Sequence, residues 1–335
     1  MKLKSAAVFA LLLFAGSVSA QQKPAVPEID RVRLAEAFRI GETLGRRVWK
    51  DWPDAPFAVL LITGEQEFLI RHPRPPEDFA PAGHDALLRS DVYFRKRTFD
   101  PALLATFPFG GVPTIVIGQA EKTAKKTSTP WVVTVLHEHF HQLQYSRPDY
   151  YRDVAALELA RGDQTGMWML NYAFPYADAR VKERFESMSR LLAAALRAGS
   201  KRDFDARLAE YVAARRAFGA MLAPEDFRYF SFQVWQEGMS RYTEYRIAEA
   251  AARRHRPSKQ FRALRDFRPF RETADEIKRK LVEELTTLRL DEYKRVAFYP
   301  LGAGEGLLLD RLDPRWQRRY FTERFYVDKY FEPLR

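Results

Sequence analysis

Between Pro130 and Pro148 the sequence "WVVTVLHEHFHQLQYSR" contains neither proline nor glycine. A breaker-free stretch of this kind fits a helix, and Thr129 and Pro130 ahead of it suit an N-cap and a first helical residue. Val132, Val133, Leu136, Phe140 and Leu143 recur at helical spacing and form an apolar face. A helix so patterned has to pack inside the molecule, and the fold must be built around it. It also carries His137, His139 and His141, half of the chain's six histidines. A helix turns about 100° per residue, so His137 and His141 project from one face while His139 points to the opposite side, as a packing residue.

The flanking patterns define the rest of the frame. Leu34, Ala37, Phe38, Ile40 and Leu44 are spaced as one helix face. Residues 57–63 and 67–72 read as two strands of a hairpin around Gly64-Glu65. Residues 91–99 alternate and suit a third strand. The β-branched run "GGVPTIVIGQA", residues 110–120, suits a fourth, which Pro113 places at a sheet edge because proline cannot donate a ladder hydrogen bond. From residue 150 onward the pattern is mostly helical, with amphipathic runs at 181–199 and 274–290 and breaks at "NYAFPYAD" and "FYPLGAGEG". The expected class is α+β: a strand-rich lobe over 21–128 and a helical lobe over 129–335, forming one continuous unit from 31 to 335. Residues 21–30 read as a polar tail.

Residues 1–20 read as a secretory leader. Lys2 and Lys4 precede the apolar run "AAVFALLLFAG", and Val18-Ser19-Ala20 forms a small-residue cleavage pattern. The expected location is therefore periplasmic or secreted, with no membrane-spanning segment after leader removal. The chain has no cysteine, so disulfides play no part in its stability. The formal net charge of +11 becomes +9 without Lys2 and Lys4. Much of the excess lies in residues 252–272. That stretch is either a solvated face or a contact for an anionic cell-envelope surface. An exported chain without a nucleic-acid motif is not expected to bind nucleic acid.

The residue types on the histidine helix have a chemical logic. Two imidazoles at i and i+4 can hold one ion, and Glu138, about 100° round the helix, can reach a water bound to that ion. Zinc suits imidazole ligands and lowers the pKa of bound water, so that a carboxylate can take its proton. Two histidines leave such a site one protein ligand short. No further histidine follows at a suitable spacing, which points to a carboxylate. Glu237 and Glu158 are the candidates, 96 and 17 residues after His141.

The segment Trp235-Gln236-Glu237-Gly238-Met239-Ser240-Arg241-Tyr242, taken with His137-Glu138-His139-Phe140-His141, resembles the gluzincin branch of zinc metallopeptidases. The resemblance covers about residues 110–145 and 230–310. It implies a zincin-like fold, one zinc ion held by His137, His141 and Glu237, and Glu138 as general base in peptide-bond hydrolysis. It also implies that Glu244 orients a ligand histidine, that the strand "PTIVIGQ" is an edge receiving an extended peptide, and that Tyr299 is the donor to the oxyanion, with Tyr242 and Tyr245 as competitors. The substrate class is then a peptide or protein. The alternative is a catalytically inactive zincin-fold protein that binds an envelope partner or an anionic polymer.

Overall fold

The computed structural model describes residues 23–334, so the expected leader lies outside the described residues. Helix α1 (Glu28–Val48) begins inside the stretch read as a polar tail. Val26 is buried there, and the buried Asp30 carboxylate accepts hydrogen bonds from Arg33 at 3.1 Å and Gln119 at 2.6 Å. A buried carboxylate with such partners is an anchor, and it draws this segment into the fold.

Six strands follow: β1 (Ala58–Ile62), β2 (Gln66–Ile70), β3 (Ala80–Asp85), β4 (Ser90–Lys96), β5 (Leu104–Phe109) and β6 (Val112–Gly118). They form one mixed sheet in the order β3-β4-β2-β1-β6-β5. The expected hairpin is β1–β2, with Ile62 opposite Glu67. Strands β3 and β5 have no counterpart in the sequence reading. β3 is largely exposed and carries Pro81 and Gly83, so it shows no apolar alternation and joins the sheet through its backbone. β5 ends in the Pro108-Phe109 dipeptide at the other edge.

The placement of β6 corrects the sequence reading. It is an interior strand, parallel to β1 and antiparallel to β5. Pro113 is tolerated because the β1 ladder begins one residue later, at Thr114, and because its partner on β5 is Pro108. Neither proline could have donated to the other. The edge beside the histidine helix is therefore β5.

The remaining chain is helical: α2 (Ser128–Tyr145), α3 (Tyr150–Ala155), α4 (Trp168–Asn171), α5 (Ala179–Arg197), α6 (Lys201–Met221), α7 (Pro224–Gln233), α8 (Met239–Arg254), α9 (Lys259–Arg262), α10 (Phe270–Thr287), α11 (Leu290–Tyr293) and α12 (Phe298–Leu312). Together with the sheet they make an α+β architecture. No helix among the described residues is long and apolar enough to cross a membrane. One sheet face packs into the main core through Val59, Leu61, Ile115 and Ile117. The other face holds a smaller cluster of Leu60, Ile62, Leu69, Phe79 and Val116.

Helix α2 is the histidine helix. It packs against β5, β6, α1 and α8, and every residue from Ser128 to Gln144 apart from Pro130 is buried. It starts earlier than expected, with Thr127 at the N-cap. The cap is supplied from far away in sequence: Asp266 accepts from the Ser128 backbone N–H at 2.8 Å and from its hydroxyl at 2.7 Å. A carboxylate at a helix N-terminus meets unsatisfied N–H groups and a favourable dipole. Thr129 is left free to donate its hydroxyl to the Arg268 carbonyl.

"FYPLGAGEG", read as a break, is instead the first half of α12. Glycine in a helix interior costs about 1 kcal/mol relative to alanine. Here it permits backbone contact. A Cβ on Gly302 would lie 2.6 Å from the Val234 carbonyl oxygen and 2.7 Å from the Gly238 Cα. Helix α12 thus crosses directly over the segment that carries Glu237.

Candidate metal centre

Helix α2 projects His137 and His141 from one face, with ring centroids 5.1 Å apart. His139 lies on the other side, stacked on Phe57 at 3.7 Å and hydrogen-bonded to Gln142 at 2.9 Å. Burial pushes its imidazole down to about 3, so it stays neutral in the fold.

The facing helix is not regular. Between α7 and α8 the residues Val234–Gly238 form a π-helical turn, and Glu237 sits in it. Such wide turns insert an extra residue into a helix and re-aim the side chains there. The carbonyls of the turn find partners outside their own helix. Gln144 of α2 donates to the Gln236 carbonyl at 3.0 Å, and Tyr320 donates to the Trp235 carbonyl at 2.7 Å. Arg241 does not pair with Glu237. It turns to Glu284 at 3.2 Å and Glu244 at 3.8 Å.

One donor atom from each of His137, His141 and Glu237 lies within 4.8 Å of the others. His141 Nε2 is 3.6 Å from Glu237 Oε2. Two ligands at about 2.1 Å from a tetrahedral ion are about 3.4 Å apart, so this pair fits with little movement. The other nitrogen of each imidazole faces a side-chain oxygen, hydrogen-bonded in His141 and at ion-pair distance without a hydrogen bond in His137. His141 Nδ1 lies 2.7 Å from Gln144 Oε1, and His137 Nδ1 lies 3.4 Å from Glu244 Oε2. An acceptor at Nδ1 holds a proton there, so the proton that an ion would displace is the one on Nε2. This donor set, one carboxylate and two imidazoles, suits zinc. Glu158 is not part of it: it is exposed on the loop after α3, with a φ of 55°.

The electrostatics of the cluster are those of tight opposite charges. Burial alone would push the His141 imidazole down, but the Glu237 and Glu138 carboxylates outweigh it and hold it at about 9. Burial would raise the Glu237 carboxyl, and the two imidazoles and Arg295 instead bring it to about 2. Glu244 is likewise held well below the carboxylate range, because Lys125, His137 and Arg241 overcome its burial. The Glu237 side chain keeps 21% exposure against 6% for His141, so solvent reaches the cluster from the Glu237 side.

Glu138 stands beside the cluster, and its Oε2 accepts a hydrogen bond from the Thr106 hydroxyl of β5 at 2.7 Å. Thr106 was not foreseen, because β5 itself was not. Tyr299 lies in the first turn of α12. Burial and the neighbouring Glu237 charge push its phenol well up, and Arg295 donates to its hydroxyl. Its two competitors are committed elsewhere: Tyr242 bonds Asp310 at 2.9 Å and Tyr245 bonds Glu249 at 3.2 Å. Arg295 had no place in the sequence reading, since nothing local sets it apart from the chain's other arginines.

The basic stretch contributes to a different feature. Arg256, Lys259 and Arg262 line a cleft of about 380 Å³ with Glu36 and Arg39, and no residue of the metal cluster touches it. Comparison of the chain with protein-family profiles, with curated protein sequences and with solved structures gives no match.

Proposed function

We propose that this protein is a zinc-dependent peptidase of gluzincin type. The observation that carries this reading is the convergence of His137, His141 and Glu237, with a side-chain oxygen facing each imidazole Nδ1. Those three residues would hold the ion, which when bound supplies Lewis-acid activation of a water and of the substrate carbonyl. The rest of the chemistry belongs to the chain. Glu138, held by Thr106, takes the proton of the attacking water and passes it to the leaving amine. The Tyr299 phenol, kept protonated by its surroundings, donates to the developing oxyanion. The edge strand β5 leaves one row of backbone groups open to an extended peptide. An exported location and contact of the basic cleft with an anionic envelope surface belong to the same proposal.

The test measures zinc content and hydrolysis of a peptide library by the wild type and by Glu138→Gln. We expect stoichiometric zinc in both proteins. Loss of the general base should lower turnover by about 10²- to 10⁴-fold. Absence of zinc from a folded wild type never exposed to chelator would sink the proposal. Zinc without turnover would leave a binding protein.

Thr106→Val keeps the side-chain shape and removes the hydroxyl. We expect turnover to fall about 10-fold, at the low end for lost outer-shell partners, with zinc content unchanged. Equal turnover in the two proteins would mean that Glu138 needs no such support.

A further inference from the structure

Most buried and part-buried arginines among the described residues are paired with carboxylates. Arg33 contacts Asp30, Glu121 and Asp266, Arg215 contacts Glu305, and Arg241 contacts Glu284. Arg295 is different. It is part-buried and belongs to the short 3-10 turn Lys294–Ala297, and it forms no ion pair among the described residues. Its one hydrogen bond goes to the Tyr299 hydroxyl. A guanidinium has five N–H donors in a planar fork, so four remain unspent.

Position makes this significant. Tyr299 lies against Glu237, and the Arg295 charge is felt there. Glu237 balances Arg295 only at a distance, with no ion pair between them, and an ion held by Glu237 would weaken that balance further. A partly buried cation that cannot deprotonate then calls for another anion. The turn is also accessible: Val296 within it and Tyr293 just before it are 45% and 43% exposed.

We propose that Arg295 is a carboxylate anchor which binds the free C-terminus of a peptide, so that the site removes residues from the C-terminal end. The proposal rests on reading the cluster as a peptidase centre. The chemistry of a last residue suits the arrangement, because its carboxylate carbon lies only two bonds beyond the scissile nitrogen. Arg295 is reached from the cluster through one side chain, Tyr299. A guanidinium fork is also the group that pairs a carboxylate bidentately. In the step itself the water oxygen bonds to the penultimate carbonyl carbon and the C–N bond breaks. The water proton carried by Glu138 goes to the departing amine. The products are a peptide shortened by one residue, with a new carboxylate, and a free amino acid.

The experiment uses a dansylated tripeptide and its C-terminal amide as probes. Binding to the metal-free chain is read by fluorescence anisotropy, and kcat/KM is measured with zinc present. The proteins are the wild type, Arg295→Gln and Arg295→Lys. We expect the wild type to bind the acid roughly 10- to 100-fold tighter than the amide, as a charged hydrogen-bonded pair would give. The ratio should fall to near one in Arg295→Gln and recover in part in Arg295→Lys. Equal affinity of the wild type for acid and amide, or an unchanged ratio in Arg295→Gln, would overturn the proposal. A parallel fall of kcat/KM for both probes would also overturn it and place Arg295 at the reacting carbonyl. If the acid preference holds and depends on Arg295, but zinc brings no hydrolysis, the peptidase reading fails and the carboxylate site stands.

Discussion

Glu237→Ala is expected to abolish the proposed zinc binding in a protein that remains folded. The expected loss of affinity exceeds about 100-fold, because outer-shell partners alone typically cost 10- to 100-fold and Glu237 is assigned to the ion itself. The fold should survive. Glu237 keeps 21% of its side-chain surface exposed, and the π turn that carries it is held by Gln144 and Tyr320 rather than by the carboxylate. The measurement is competitive chelator titration of zinc, with circular dichroism as the check on folding. Glu158→Ala is the control: that side chain is exposed and outside the cluster, so its zinc affinity should equal that of the wild type. Zinc retained by Glu237→Ala and lost from Glu158→Ala would refute the assignment.

Glu305→Leu should cost about 3–5 kcal/mol of folding stability, the usual result of leaving a buried charge without its partner. Glu305 is fully buried in α12, where Oε1 accepts from Tyr211 at 2.6 Å and from Arg215 Nε at 2.9 Å. Arg215 is itself 2% exposed and cannot shed its proton. Its two terminal nitrogens have no hydrogen-bond partner, so Glu305 is its main compensation. The double variant Arg215→Met with Glu305→Leu removes both charges and should recover most of the loss, since buried pairs replaced by apolar residues are often neutral. Urea unfolding of the two singles and the double forms the cycle. A loss below about 1 kcal/mol in Glu305→Leu would show that this pair does not hold α12 to α6.

These two outcomes concern different kinds of information in the chain. The pairing of His137 with His141, and the exclusion of His139, follow from the 3.6-residue period of one helix. Nothing beyond the local chain is needed, and the structure shows the same division. Glu237 was singled out over Glu158 by its local surroundings, and the structure brings it to the histidines across a π turn that no periodicity displays. Strand β6 was found by its β-branched run, yet its place in the sheet was misjudged. Pro113 removes one donor, but whether that donor was needed depends on which residues lie opposite. Those are Pro108 and the far end of β1, neither of which is adjacent in sequence.

The same limit hid Thr106 and the true character of "FYPLGAGEG". β5 has no alternating signal because an edge strand carrying Pro108 is held by backbone pairing, and its one important side chain is defined by a residue on α2. Three glycines within five residues look like a break when each is judged by its own helix propensity. Packed against Val234 and Gly238, Gly302 is instead the condition for α12 to approach.

By itself, then, the sequence determined the mixed α and β composition, the central helix and the face from which two imidazoles emerge. All of these rest on the repeat geometry of a single element. Only the tertiary structure decided that Glu237 meets them, that Thr106 steadies Glu138, and that Arg295 stands beside Tyr299 without a carboxylate of its own. Each of those is a contact between elements. It depends on sheet order, helix crossing and the width of one turn, quantities fixed by the balance of packing over the whole core.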